Sequence, residues 1–259
     1  MKQRKITIRY NNGDYNLSIR YRKNGGELVF FIHGLGCSQN NFNDAWHAEG
    51  LSRHSLVSLD LPGFGESSMA DNFSCDMNAY AEICSDVLSL FPEFRVHLVG
   101  HSMGGAIGIL LTDMIHDRLV SFVNIEGNLI GRDCSASREK ASVSFDDFKT
   151  KQLPALILTT SLSVEPGRRM WSQYLKMADK KGLYLSSRSL VRWSDSGLLL
   201  KKFKELDCKK VYIYGEANSF LNVLTFLNGI QTVPISNSGH FPMNDNSEEF
   251  YNFLSDFYQ

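Results

Sequence analysis

A serine at position 102 lies in the pattern Gly-x-Ser-x-Gly, between an apolar run that ends at Val99 and a run of small and aliphatic residues that follows Met103. A serine on a sharp turn from a strand into a helix has a strained backbone, which is tolerated only where the residues two before and two after it are small. Gly100 and Gly104 occupy those positions. The pattern therefore predicts Ser102 as a nucleophile, with the N–H of Met103 as a donor to a developing oxyanion.

A nucleophilic serine needs a general base, and the surroundings of His240 suit that role best. His240 follows a short strand-like run, is preceded by Gly239, and comes after Ser102 in the chain. Its imidazole can accept the serine proton near neutral pH and return it to a leaving group. The remaining histidines lie within a strand, at a helix end, in polar loops or beside the serine motif.

Alternating strand-like and helical runs must position these two residues. The first two strand-like runs, separated by Asn11-Asn12-Gly13-Asp14, are typical of an antiparallel hairpin. The whole pattern predicts an α/β protein with an eight-stranded, mainly parallel sheet flanked by helices. The predicted strands are 5–10, 15–21, 28–32, 55–59, 96–99, 120–125, 210–214 and 232–235, and the predicted helices are 79–91, 103–116, 220–227 and 247–258.

The alternation stops between residues 128 and 205, where serine, arginine and lysine are frequent. Large apolar residues such as Phe148, Trp171 and Trp193 are too numerous there for a solvated linker. An insertion at this point follows the carboxyl end of a strand, which is the edge where open α/β sheets bind ligands. We therefore predict a core formed by residues 1–127 and 206–259, and a mostly helical cap, or lid, formed by residues 128–205.

Four motifs, in this order, resemble those of the α/β-hydrolase fold superfamily, and of its capped serine esterases in particular. They are His33-Gly34-Leu35-Gly36, the run Leu59-Asp60-Leu61-Pro62-Gly63-Phe64-Gly65-Glu66-Ser67, the serine motif at Ser102, and Ser238-Gly239-His240-Phe241-Pro242. The resemblance implies a hydrolase that acts through an acyl-serine intermediate, with the N–H of Leu35 as the second oxyanion donor. It implies no metal and no organic cofactor.

The acid that should support the histidine departs from the common pattern of these enzymes. Their acid usually follows the next-to-last strand as Gly-x-x-Asp, whereas this chain has Gly215-Glu216-Ala217-Asn218. Glu126 ends the predicted strand 120–125, so its carboxylate would project from the same sheet edge as the serine. We predict Glu126 as the acid, an arrangement that resembles some haloalkane dehalogenases. Asn218 as a neutral orienter, Glu216 as the acid, and a merely cap-anchoring Glu126 are the alternatives.

Composition limits the partners of the chain. The 259 residues can bury one substantial core, and a net charge of −1 without a basic stripe argues against nucleic acid or an anionic membrane surface. No stretch has the about 18 uninterrupted apolar residues of a transmembrane helix, and no signal peptide is visible. The five scattered cysteines lack disulfide or zinc spacing. We expect a cytoplasmic protein that acts on a small molecule, and predict no particular oligomeric state.

These features predict a serine hydrolase that cleaves a carboxylic ester or a related acyl compound. Apolar residues of the predicted cap favour a substrate with an apolar portion over a strongly charged one. A thioesterase and a C–C bond hydrolase are alternatives on the same triad, because the motifs do not distinguish the bond that is cleaved. A ligand-binding, receptor-like protein with little turnover is the alternative of another class, favoured by the uncharged Asn218, and an interaction module is a third.

Overall fold

An eight-stranded sheet forms the centre of the computed structural model, which describes residues 1–259. Its strands are β1 (Lys2–Tyr10), β2 (Gly13–Arg22), β3 (Leu28–Ile32), β4 (Ser55–Leu59), β5 (Val96–His101), β6 (Leu119–Ile125), β7 (Lys209–Gly215) and β8 (Gln231–Ile235). Their order across the sheet is β1-β2-β4-β3-β5-β6-β7-β8. β2 runs antiparallel to β1 and β4, and all other neighbours are parallel. The predicted hairpin and mainly parallel sheet are both confirmed.

The central strands are buried on both faces, and for this reason their sequences are continuous apolar runs. Every residue of β3 and β4 is buried. Successive side chains of a strand point to opposite faces. Phe30 thus joins the core beneath helices α1 (Met77–Leu88) and α2 (Met103–Thr112), whereas Phe31 packs on the other face against Phe42, with ring centroids 4.9 Å apart.

Helices joined by short turns connect β6 to β7. They are α3 (Ser135–Ala141), α4 (Phe145–Asp147), a π-helical turn at Phe148–Gln152 that leads into α5 (Leu153–Ser161), α6 (Pro166–Met177), α7 (Lys180–Asp195) and α8 (Leu198–Glu205). We call residues 128–205 the helical segment. It is hydrogen-bonded to the loops that follow β3 and β4, through Trp171 Nε1 to Leu35 O at 2.9 Å and Asp179 N to Gly63 O at 2.8 Å.

The last two helices lie at the end of the chain, as α9 (Pro242–Asp245) and α10 (Ser247–Phe257). The predicted helix at 220–227 is wrong, because the chain forms only a 3-10 turn at Asn222–Phe226. Val223 and Leu227 are buried four residues apart, as on one face of a helix, whereas Phe220 at the start of the predicted helix is exposed. Asp133 instead accepts the amide of Val223 at 2.7 Å. None of the helices combines the length and the apolar character needed to cross a bilayer.

Candidate active site

Ser102 lies on a strained turn between β5 and α2. Its backbone has φ 53° and ψ −116°, a conformation that costs free energy in a residue with a side chain. A Cβ atom at Gly100 would lie 2.4 Å from the carbonyl oxygen of Gly104, and one at Gly104 would lie 2.2 Å from the carbonyl oxygen of Ile32. The two glycines are therefore required by close backbone packing around the serine.

Ser102 is 8% exposed and lines a cavity. The backbone N–H of Ser102 donates to Ile125 O at 2.8 Å, which ties the turn to the end of β6. Its Oγ donates to Asn128 Oδ1 at 3.3 Å and makes no hydrogen bond to His240. Hydrogen bonds between a nucleophile and its base often shorten only when a substrate is in place.

Glu126 follows β6 directly and holds the histidine. Its Oε2 lies 2.6 Å from His240 Nδ1, and its Oε1 accepts the amide of Gly215 at 2.9 Å. Glu126 has a positive φ of 43° and is 4% exposed, while its own amide donates to Ile213 O at 2.9 Å. The carboxylate is therefore fixed from both the end of β6 and the end of β7.

The two alternative partners of the histidine lie elsewhere. The amide of Asn218 donates to both oxygens of Glu126, at 2.9 Å and 3.0 Å, so Asn218 contacts the carboxylate rather than the imidazole. Glu216 is exposed and accepts the amide of Asn237 at 3.2 Å. The structure thus brings Asn218, Glu126 and His240 into one hydrogen-bonded chain.

His101 supports the segment that carries the histidine. Its ring lies 4.9 Å from the ring of His240, and its Nε2 lies 2.8 Å from the carbonyl oxygen of His240. Burial, together with the nearby charge of His240, holds the pKa of His101 well below its usual range. His101 is therefore neutral, and because a carbonyl only accepts, its Nε2 carries the proton.

The two predicted oxyanion donors flank the serine. Met103 is the first residue of α2, where helix geometry leaves the amide without an intrahelical acceptor. Leu35 lies in the loop after β3, and its carbonyl accepts the indole N–H of Trp171. Gly36, the next residue, has φ 66°, and a Cβ there would lie 2.6 Å from Leu175 of α6. Helix α6 therefore holds the loop that carries Leu35.

A cavity of about 260 Å³ connects Leu35, Ser102, Glu126 and His240. Its walls are formed by Leu35, Cys37, His101, Ser102, Glu126, Asn128, Asp133, Cys134, Ser135, Ala136, Ser137, Lys140, Arg168, Trp171, Asn218, Phe220, Leu221, His240 and Phe241. Residues from α3 and α6 face residues from the strand ends across it. The helical segment therefore supplies one side of the candidate site.

Sequence reasoning missed three residues of this cavity as functional candidates. Asn128 accepts the serine hydroxyl, Trp171 donates to Leu35, and Lys140 is a buried amine. The position of Asn128, two residues after the predicted acid, is a signal that could have pointed to it. Lys140 and Trp171 belong to no motif, and only the packing of the helical segment brings them to the site.

Two cysteines of the cavity are free thiols, Cys37 and Cys134. Burial raises the pKa of both thiols, which disfavours the reactive thiolate. Both side chains are 1% exposed. Their role in the structure is to fill space beside the site.

An esterase/lipase and a dehalogenase are among the known proteins similar to this chain. A putative esterase/lipase 2 from Mycoplasma pneumoniae is 29% identical over 93 residues, 36% of this chain and 35% of that protein. A haloalkane dehalogenase from Mycolicibacterium smegmatis is 27% identical over 145 residues, 54% of this chain and 46% of that protein. The chain thus spans less than half of the length of these curated relatives.

A solved structure extends the likeness to the whole chain. An esterase from Thermogutta terrifontis has a TM-score of 0.79 and 18% identity, over 100% of this chain and 98% of that one. This likeness confirms the predicted fold, an eight-stranded, mostly parallel sheet flanked by helices. The sequence model of the alpha/beta hydrolase family matches residues 29–253, from β3 into α10. The chain therefore belongs to the alpha/beta hydrolase family.

Proposed function

We propose that this chain is a serine hydrolase that cleaves a carboxylic ester through an acyl-serine intermediate. The observation that carries the proposal is the 2.6 Å contact between His240 Nδ1 and Glu126 Oε2, on the wall of the cavity that Ser102 also lines. A carboxylate at Nδ1 leaves Nε2 of the same ring free to take a serine proton. The strained backbone of Ser102 supports the proposal, because such strain is found where a side chain must be presented for reaction.

In the first half of the reaction, Ser102 Oγ bonds to the ester carbonyl carbon while its proton passes to His240 Nε2. The tetrahedral intermediate expels the alcohol, which takes that proton, and the acyl group stays on Oγ. A water oxygen then attacks the acyl carbon, its proton passes through Nε2 to Ser102 Oγ, and the carboxylic acid leaves. Glu126 stabilises the imidazolium formed in each half, and the amides of Leu35 and Met103 stabilise the oxyanions.

In this proposal the helical segment is the cap of the site. Trp171 is bonded to the loop that carries Leu35, and Gly167 N donates to Asp245 Oδ1 at 2.8 Å beside the segment that carries His240. Contacts with both loops let the cap exclude water and position a substrate over Ser102.

A ligand-binding protein with little turnover is the second candidate. The hydrogen bond from Ser102 Oγ to Asn128 Oδ1 favours it, because that bond directs the hydroxyl proton away from the general base. Such a protein would be stabilised by ligands against thermal unfolding without hydrolysing them.

Labelling with a fluorophosphonate probe tests the nucleophile. We expect the unsubstituted chain to be labelled covalently and Ser102→Ala to be unlabelled, because the probe reacts only with an activated serine. Ser142→Ala, at an exposed serine of the helical segment, is the matched control and should be labelled like the unsubstituted chain. Persistent labelling of folded Ser102→Ala would contradict the assignment.

The bond that is cleaved needs a separate measurement. Turnover of 4-nitrophenyl esters and acyl-CoA thioesters of graded chain length distinguishes an esterase from a thioesterase. Labelling of Ser102 together with ester turnover supports the proposed hydrolase. Ligand-dependent thermal stabilisation without turnover of any substrate favours the second candidate.

A further inference from the structure

Lys140 is a buried cation on the wall of the cavity. The residue is 5% exposed, and burial of an ammonium group is costly unless opposite charge or hydrogen bonds compensate it. Its Nζ donates to one acceptor, the carbonyl of Ala136 at 2.6 Å, and lies 5.7 Å from the centroid of the Trp171 ring. An ammonium has three donors. The contacts within the chain therefore leave donors of Lys140 unused.

The acidic groups that share the cavity are engaged with other partners. Glu126 is hydrogen-bonded to His240 and Asn218. Asp133 accepts the amide of Val223 at 2.7 Å and that of the preceding residue at 3.2 Å. No carboxylate lies within 4.0 Å of Lys140 Nζ, so its charge is not neutralised by an ion pair.

Arg168, the other basic residue of the cavity wall, has a different environment. Its guanidinium lies 3.8 Å from Glu165, and its side chain is 45% exposed to solvent. Burial lowers the pKa of Lys140 to about 8, although the charge of the neighbouring Glu139 opposes the shift, so the ammonium is still the main form at neutral pH. Lys140 is therefore the cavity cation whose charge is least compensated.

We propose that Lys140 binds an anionic group of the substrate, so that the favoured ester carries a carboxylate in addition to the bond that is cleaved. This inference rests on the proposed hydrolase function and specifies its substrate class. A carboxylate entering the cavity would accept hydrogen bonds from the free donors of Lys140 and supply the missing opposite charge. Trp171 and Phe241 would contact the apolar part of the same molecule. The substrate would be amphipathic: it keeps the apolar portion predicted from the sequence, but its carboxylate departs from the predicted preference against a charged substrate.

Two matched pairs of esters test the proposal, one for each place where the carboxylate could lie. Mono-4-nitrophenyl adipate and 4-nitrophenyl hexanoate differ by a carboxylate on the acyl chain, and 4-acetoxybenzoate and phenyl acetate differ by one on the alcohol. We expect a higher kcat/KM for the anionic member of at least one pair. Lys140→Met should reduce that preference by about 10- to 100-fold, as expected for loss of a charge-assisted hydrogen bond. Lys149→Met, the same change at an exposed lysine, should retain it.

The proposal is overturned if the unsubstituted chain turns over both members of each pair equally well, or if Lys140→Met leaves the preference intact. Lys140→Gln serves as the second variant if Lys140→Met does not fold. Calorimetric titration of adipate into Ser102→Ala, with and without Lys140→Met, measures the contact without turnover. We expect Lys140→Met to raise the Kd for adipate about 10- to 100-fold. An unchanged Kd would contradict the proposal. If the proposed hydrolase function itself is wrong, the unsubstituted chain will turn over none of these esters.

Discussion

At the scale of single residues, the carboxylate of Glu126 is the most constrained group of the site. Its two oxygens accept hydrogen bonds from the Gly215 amide and the Asn218 side chain and contact His240 Nδ1. A carboxylate held in this way fixes both the orientation of the imidazole and its tautomer. In the proposed mechanism, Asn218 is a positioning residue that acts on the histidine through Glu126.

This arrangement predicts unequal effects of two substitutions. Glu126→Gln removes the charge and presents an amide to Nδ1, so we expect kcat for 4-nitrophenyl butyrate to fall by about 10³- to 10⁴-fold. Asn218→Ala removes only the two hydrogen bonds to the carboxylate, and we expect a loss of about tenfold. Steady-state kinetics measure both, with circular dichroism as the control for folding. A collapse of kcat in Asn218→Ala alone would assign the supporting role to Asn218.

At the scale of secondary structure, helix α6 joins the two loops that carry opposite sides of the site. Trp171 and Leu175 contact the loop of Leu35, and a Cβ at Gly167 would lie 2.2 Å from the Cβ of Phe241. Gly167 thus permits a close approach of α6 to the residue that follows His240. A displacement of α6 would move Leu35, the proposed oxyanion donor, and His240, the proposed base, together.

Loss of the hydrogen bond from the Trp171 indole to Leu35 O should therefore reduce the rate of catalysis. We expect Trp171→Phe to lower kcat for a neutral ester by about 2- to 10-fold, which corresponds to one ordinary hydrogen bond that holds the Leu35 loop. Trp193→Phe is the matched control, because the indole of Trp193, on α7, donates at 3.2 Å to Asp76, which caps the start of α1. That control should keep kcat within about twofold. Equal losses in the two variants would indicate a general effect on stability.

At the scale of the whole molecule, buried neutral histidines hold the loops at the carboxyl edge of the sheet together. His33 Nε2 accepts the amide of Leu61 at 3.0 Å, so Nδ1 carries the proton and donates to Gly34 O at 2.8 Å. Burial lowers the pKa of His33, although the charge of Asp60 opposes it. Protonation of Nε2 would break the bond to the loop after β4.

The folded chain should therefore lose stability as the pH falls below the ordinary histidine pKa of about 6.5. The unfolded chain then binds a proton that His33 in the folded chain does not. From pH 7.5 to pH 5.5, the free energy of unfolding should decrease in both proteins. We expect the decrease to be smaller in His33→Gln, by up to about 1.4 kcal/mol, because that variant lacks the His33 imidazole. Urea unfolding at both pH values measures this, with the exposed His116→Gln as control. Identical pH dependence in the unsubstituted chain and His33→Gln would contradict the expectation.

The parts of the site that depend on local backbone geometry were predictable from the sequence. The glycines around Ser102 and the position of Glu126 at a strand end follow from rules on turns and parallel sheets, and Ser102 and Glu126 do line one cavity. Their roles in catalysis stay predictions. Lys140 and Trp171 were not predictable, because a helical pattern does not specify which face of a helix will cover a cavity in another part of the chain.

The hydrogen bonds between Asn218 and Glu126 also limit the single substitutions that could move the acid from the end of β6 to the end of β7. The loops after β6 and β7 could each present an acid, and here the Asn218 amide lies 2.9 Å and 3.0 Å from the two Glu126 oxygens. Asn218→Asp as a first step would set two carboxylates against each other, and their repulsion would favour a shared proton over two charges. Loss of Glu126 as a first step would leave His240 without a carboxylate. Each of these single substitutions would weaken the support of His240. We therefore expect related proteins with Glu126 and Asn218 to retain both residues.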